Sequence, residues 1–187
     1  MKKIKLSYNA PVVLSFVLVC FLATLIGVFT NNNSTEFLFS VYRGSVTNPL
    51  TYVRLFTHVL GHSGFEHFIG NAMYLLLIGP MLEEKYGSNT MLKIILSTAL
   101  ITGVVHCFIW SSYSLCGASG IVFAFIIISS FTAFKDGEIP ISFLLVAILY
   151  IGNEIYDGII IRDNISNLTH ILGGVVGSIV GYRLNKK

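Results

Sequence analysis

Four polar side chains within largely apolar sequence have the residue types that acyl transfer requires. Ser119 lies in the stretch GASG, and His170 lies in THILGGVVG. A serine within hydrogen-bond reach of a neutral imidazole is an activated nucleophile, because the imidazole takes its proton. His67 and Asn71 are four residues apart in HFIGNAMY, so they share one face of a helix. With the Ser119 backbone N–H, they could donate hydrogen bonds to the negative oxygen of a tetrahedral intermediate.

Each of these groups also has a purely structural explanation. His67 and Asn71 could join helices through hydrogen bonds, and a lone histidine at position 170 could bond a neighbouring carbonyl. Ser119 could be the N-cap of a helix within a patch of small residues. The combination favours catalysis, because it supplies a nucleophile, a base and oxyanion donors together.

Membrane helices must bring these residues together. The 187-residue chain is 54% hydrophobic and 11% charged, with a mean hydropathy of +0.77, whereas soluble domains carry about 25% charged residues. A helix needs about 20 apolar residues to cross a bilayer. We therefore predict an all-α membrane protein, a six-transmembrane-helix bundle that forms a single domain over residues 1–187. The predicted spans are 11–30, 67–82, 91–111, 118–134, 140–157 and 168–182.

The placement of Lys and Arg orients this bundle. With six spans, nine of the twelve basic residues fall in cytoplasmic segments, and three fall outside: Arg43, Arg54 and Arg162. Short loops rich in Lys and Arg stay in the cytoplasm, so both termini are predicted to be cytoplasmic. The net charge of +3 then needs no nucleic-acid partner, because basic ends face the anionic leaflet of the lipid bilayer. The first run could instead be a signal peptide, but TNNNSTEF is a poor cleavage site.

The first external loop and the glycines add two structural expectations. Residues 31–66 mix aromatics with His and Arg, which is typical of a segment in the interfacial layer. Gly117 and Gly120 flank the candidate serine, and Gly173 and Gly177 share a helix face with the candidate base. Such small residues allow two membrane helices to pack closely, so these four glycines are predicted to line a close helix contact.

The cysteines give no reason to expect a metal or a cofactor. Cys20, Cys107 and Cys116 lie in or beside apolar runs and have no metal-ligand spacing. We expect them to be small apolar filler. Cys107 and Cys116 could approach each other near the outer surface, and whether they pair stays open.

The motifs FTHVLGHSGFEHFIGNAMY, GASGIVFAF and THILGGVVG, in this order, resemble the rhomboid family of intramembrane serine proteases. The resemblance covers almost the whole chain from about Thr51 onward. It implies that Ser119 is the nucleophile and His170 the base of a dyad, and that His67 and Asn71 supply the oxyanion hole. It also implies transmembrane protein substrates and a multi-pass location in the bacterial cell membrane, with the active site toward the external face.

Further positions match the family more loosely. Arg54 fits the arginine of a Trp-Arg pair in the first loop, but Val53 stands where the tryptophan is usual. Phe123 takes the position of an aromatic that packs against the catalytic histidine, and Glu83 fits an acidic residue that follows the second span. His106 has no role in the protease interpretation and is treated as structural.

Two other functions stay open at this point. A non-catalytic relative would bind transmembrane clients without cutting them, although such pseudoproteases usually lack the serine or the histidine. A small transporter would show solute flux and no reaction with serine-directed probes. Its relay would consist of His67, Asn71, His106 and His170.

Overall fold

The computed structural model describes residues 7–109, 114–132 and 164–185, together with the single positions 141, 144, 145, 148, 149 and 152. Within these ranges the regular structure is helical, apart from a β-bridge between Val41 and Leu115, so the predicted all-α class is confirmed there. The predicted fifth span, 140–157, lies largely outside the described residues. The helices are α1 Pro11–Phe29, α2 Asn33–Leu38, α3 Pro49–Thr57, α4 Phe65–Tyr86, α5 Ser88–Ile109, α6 Ser119–Phe131 and α7 Asn164–Asn185.

Two of the described helices are long and apolar enough to cross a membrane, judged by length and composition. These are α1, with a mean hydropathy of 2.9, and α5, with 2.0. Helix α6 is also apolar but has 13 residues. Helices α4 and α7 have 22 residues each, but they carry the polar side chains of the candidate site. The six spans and their orientation therefore stay predictions.

Helix α6 is the central helix of the described bundle. Nine of its residues are buried, on every side of the helix: Gly120, Ile121, Val122, Phe123, Ala124, Phe125, Ile127, Ile128 and Phe131. A helix that is apolar all round is stable only where other elements surround it. Side chains of α1, α4 and α5 complete the same apolar core. This burial fixes the start of α6, which is where Ser119 lies.

Glu83 ties α4 to the start of α1. Its carboxylate accepts hydrogen bonds from the backbone N–H groups of Val12, at 3.0 Å, and Val13, at 2.9 Å. It also accepts one from the Ser88 hydroxyl at 2.7 Å. These bonds satisfy first-turn donors that have no partner within α1, and a carboxylate is favourable at that positive end. Because a helix rises about 1.5 Å per residue, this tie lies at the opposite end of α4 from His67.

The segment between α1 and α4 is anchored by Arg54. This side chain is 5% exposed. Its Nε donates a hydrogen bond to the Phe37 carbonyl at 2.8 Å, and its guanidinium lies 4.4 Å from the centre of the Tyr42 ring. A cation over an aromatic face is stabilised by the ring's negative face. Val53, by contrast, is 42% exposed, so the segment is held by the arginine and not by residue 53.

Two backbone contacts hold the chain that leads into α6. The Val41–Leu115 bridge has two N–H to O=C bonds of 2.9 Å, and the Gly117 N–H donates to the His58 carbonyl at 2.9 Å. The segment between α1 and α4 therefore fixes the approach to Ser119 from one side. The apolar core holds α6, the helix that follows, from the other side.

Candidate active site

Ser119 is the first residue of α6, and its neighbour Ala118 occupies the N-cap position. No side chain caps this end of the helix. Ser119 is therefore not an N-cap, which was the structural alternative to a catalytic role. The N–H groups of a first helical turn have no acceptor within their own helix. They carry partial positive charge, which favours a negative group beside them. The serine thus stands where an oxyanion would be stabilised.

Gly117 brings His67 close to the serine. Its φ is +134°, a conformation that side-chain-bearing residues rarely adopt. A Cβ at this position would lie 2.9 Å from His67 Nε2 and 3.9 Å from Ser119 Oγ. Both atoms therefore border the same small space beside the Gly117 backbone. A larger residue at 117 would occupy it.

His67 is held by its neighbours with Nε2 toward this space. Its Nδ1 lies 3.3 Å from the Ser63 hydroxyl, and its ring makes an edge contact with the His62 ring, 5.0 Å between centroids. If the Ser63 hydroxyl donates to Nδ1, the neutral imidazole carries its proton on Nε2. His67 would then present an N–H donor on the side that faces Ser119.

Asn71 lies one turn further along α4 and is 7% exposed. Its Nδ2 donates a hydrogen bond to the His67 carbonyl at 3.1 Å. An amide nitrogen carries two hydrogens, so one donor of Asn71 fixes its own side chain and the second is a candidate for a ligand. His67 and Asn71 share a face of α4, as their spacing predicts.

His170 lies on α7 and is stacked on Phe123 of α6. The ring centroids are 4.1 Å apart, and the ring planes differ by 14°. Phe123 is four residues after Ser119, so both side chains belong to one face of α6. The imidazoles of His170 and His67 are also close enough for their charges to interact.

Glycines let α6 and α7 approach to backbone contact. A Cβ on Gly173 would meet the backbone of Gly120, with its carbonyl carbon at 2.8 Å, and a Cβ on Gly177 would lie 2.6 Å from the Ala124 carbonyl oxygen. Real Cβ atoms essentially never come this close to backbone atoms. Helices α6 and α7 therefore pack so closely that only glycine, which has no Cβ, fits at positions 173 and 177.

Sequence reasoning missed two histidines of the segment between α1 and α4, His58 and His62, both 1% exposed. Burial lowers the pKa of each to about 4 from the ordinary 6.5, so both are neutral at physiological pH. His58 Nδ1 donates to the Arg54 carbonyl at 3.1 Å, and His62 supports the His67 ring. The available signal was the four-residue spacing of His58 and His62 in FTHVLGH, a short distance before His67.

The remaining predicted positions have plain structural surroundings. His106 is buried on α5 and interacts electrostatically with His58. Cys20, Cys107 and Cys116 are free thiols. In the described ranges, no three His, Cys, Asp or Glu side chains are grouped so as to hold a metal ion.

Residues 49–187 match the Rhomboid domain. The chain therefore belongs to the rhomboid family.

Several characterised relatives are similar to most of the chain. Rhomboid protease GluP of Bacillus subtilis is 32% identical over 168 residues, which are 86% of this chain and 31% of that protein. Rhomboid protease GlpG of Pectobacterium atrosepticum is 26% identical over 69% of this chain and 47% of its own length. Rhomboid-related protein 2 of Mus musculus is 28% identical over 74% of this chain and 53% of its own length. The chain thus spans from about a third to about half of these relatives.

Proposed function

We propose that this protein is an intramembrane serine protease that hydrolyses peptide bonds in or near transmembrane segments of membrane-protein substrates. Ser119 is the nucleophile and His170 the general base. The observation that carries the proposal is the stacking of His170 on Phe123, one turn from Ser119 on the same face of α6. Membership of the rhomboid family and relatives named as rhomboid proteases support it.

The register of α6 and α7 supports the pairing of serine and histidine. Gly120 faces Gly173, and Ala124 faces Gly177, so the two helices run side by side in the same direction with equal steps of four residues. Thr169 also contacts the Gly120 position, with its carbonyl 3.5 Å from where a Cβ would lie. The residue before Gly120 is Ser119 and the residue after Thr169 is His170. The nucleophile and the base therefore belong to the same level of the bundle.

The reaction follows the general pattern of serine hydrolysis. The Ser119 oxygen attacks the carbonyl carbon of the substrate while His170 takes its proton and then passes it to the leaving amine. His170 next takes a proton from water, which attacks the acyl ester, and returns that proton to the Ser119 oxygen as the acid product leaves. The negative oxygen of each tetrahedral state accepts hydrogen bonds from the Ser119 N–H, His67 Nε2 and Asn71 Nδ2.

A dyad needs something other than a carboxylate to orient the imidazole. The nearest carboxylate along the chain from His170 is Asp163, seven residues away, and it lies outside the described residues. The Phe123 ring provides the alternative, because a parallel stack limits tilting of the imidazole plane. The same ring face favours the positive imidazolium that forms during the reaction.

The position of the site limits which substrates are cut. A peptide bond within a helix is hydrogen-bonded and shielded, so the substrate must unwind locally before the serine attacks. Helix-breaking residues should therefore favour cleavage. The small residues around Ser119 leave room for only a small side chain before the cleaved bond. Water must reach the site through a polar cavity, which we assign to the external face of a bacterial cell membrane.

Labelling with a fluorophosphonate probe tests this function directly. We expect one modified residue, Ser119, and loss of labelling in both Ser119→Ala and His170→Ala. Ser129→Ala is the matched control on the same helix, because the Ser129 hydroxyl only bonds the Ile126 carbonyl at 2.7 Å. Labelling must parallel cleavage of a transmembrane test substrate in proteoliposomes. Absence of both in the folded wild-type protein would favour a client-binding relative, and solute flux without labelling would favour a transporter.

A further inference from the structure

An open cavity of about 370 Å³ lies beside the candidate oxyanion hole. It is lined by Ser63, Gly64, Glu66 and His67, at the start of α4. Ser63 and Glu66 are both exposed, so the cavity connects the His67 ring with the surface. A substrate segment that reaches Ser119 past His67 would have this cavity at its side.

Glu66 gives this cavity a negative charge. A carboxylate in the first turn of α4 also complements the helix dipole, which is a sufficient structural reason for an acidic residue there. The dipole requires only that the charge be near the helix end. The dipole does not require the charged side chain to line a cavity. Glu66 lines one, together with His67.

We propose that Glu66 is a specificity-determining residue that selects substrates with a Lys or Arg side chain close to the cleaved bond, on its external side. The inference rests on the proposed protease function and names its substrate class. The long basic side chain occupies the cavity, with its stem along the wall and its charged end near the Glu66 carboxylate. Substrates with an acidic residue at the same position are disfavoured by repulsion.

The expected selectivity is modest and depends on salt. An ion pair between groups that stay in contact with water contributes little, which corresponds to a preference on the order of threefold. It should weaken as ionic strength rises, because salt screens exposed charges over distances beyond about 10 Å at 0.1 M. The preference should appear in kcat/KM, where discrimination between substrates is measured.

Three matched test substrates probe the proposal in proteoliposomes. They share one transmembrane segment and differ at a single external position next to the mapped cleavage site, where they carry Lys, Gln or Glu. We expect the wild-type kcat/KM to rank Lys above Gln above Glu at low salt. Glu66→Gln should remove the ranking, Glu66→Asp should keep it, and Glu66→Lys should invert it. Glu36→Gln is the control, since Glu36 is an exposed carboxylate of α2 that does not line the cavity.

Two results would overturn the inference: equal rates for the three substrates with the wild type, or an unchanged ranking in Glu66→Gln. Binding of the same three peptides to the Ser119→Ala protein separates this inference from the protease function. Absence of cleavage with a charge-ranked affinity that Glu66→Gln removes would end the protease proposal and support the role of Glu66. Cleavage with no charge ranking would support the protease function and end the proposed role of Glu66.

Discussion

Phe123 and His170 face each other as parallel rings, 4.1 Å between centroids and inclined by 14°. Each ring comes from a different helix, so the stack fixes both the distance between α6 and α7 at this level and the plane of the imidazole. Such an aromatic pair contributes about 0.5–1.5 kcal/mol beyond its buried area. Loss of the stack should therefore affect the step in which His170 changes its charge.

Phe123→Leu should lower kcat about three- to tenfold, because it removes the ring but keeps apolar volume. KM should change little, since Phe123 is 9% exposed and its ring is stacked on the proposed base. Phe123→Tyr is the control that keeps the aromatic face. Steady-state kinetics with a transmembrane test substrate measure the effect. Equal kcat values for Phe123→Leu and wild type would show that the stack is only packing.

Asn71→Ala should leave a folded protein with residual activity. Removing one oxyanion donor costs on the order of 3 kcal/mol, so kcat should fall by roughly a hundredfold. Ser63→Ala should have a smaller effect, because it removes only the hydroxyl that faces His67 Nδ1 at 3.3 Å. Thermal unfolding of each variant controls for folding. If Asn71→Ala has no activity and a strongly lowered Tm, its role is structural.

Gly177→Ala should destabilise the protein, and Gly174→Ala should not. An added Cβ at 177 would lie 2.6 Å from the Ala124 carbonyl oxygen, so α6 and α7 would have to separate. At 174 it would meet only Ile127 Cγ1, at an ordinary 3.8 Å. We expect overpacking to cost about 1–3 kcal/mol at 177, measured as a lower Tm in detergent together with lower activity. A Tm for Gly177→Ala equal to that of Gly174→Ala would argue against close helix packing.

Much of the arrangement follows from sequence periodicity. The spacing of His67 and Asn71 predicts their common face, and the glycines that follow His170 predict a smooth helix surface. These are local properties, fixed by 3.6 residues per turn. Hydropathy predicts α1 and α5 well, whereas the signal is weak for α4 and α7 because polar side chains of the candidate site replace apolar ones.

Contacts between distant segments could not be predicted in this way. No local pattern shows that the His58 carbonyl accepts a bond from Gly117, or that Glu83 accepts two from the start of α1. Such bonds join residues about 60 to 70 positions apart, and only the packed bundle brings them together.

Glu83→Ala should lower stability by about 2–4 kcal/mol, since it leaves the part-buried N–H of Val12 and the buried N–H of Val13 without their acceptor. Glu83→Gln should be intermediate, because one amide oxygen still accepts. Glu84→Ala is the control, as Glu84 is an exposed neighbour on the same helix. The Tm values of the three variants in one detergent test the order. Equal Tm values for Glu83→Ala and Glu84→Ala would contradict it.

His58 and His62 should make stability fall as the solution becomes acidic. Burial lowers the pKa of each to about 4 in the folded protein, against an ordinary 6.5. Between these values the unfolded chain binds more protons than the folded one, so the stabilisation is complete above pH 6.5 and is lost as pH falls toward 4.

The loss should be roughly 1–3 kcal/mol per histidine over that window. Thermal unfolding in detergent at pH 7.5, 6, 5 and 4.5 measures this loss. Comparison with His62→Asn separates the contribution of His62 from that of the carboxylates, which titrate in the same range. We choose His62 because its Nδ1 faces the Leu60 carbonyl at 3.2 Å, a bond that an asparagine amide can replace. The Tm of the variant should fall less steeply with pH than that of the wild type. Parallel pH curves for the two proteins would mean that His62 is protonated at no cost to the fold and is not buried in the folded protein.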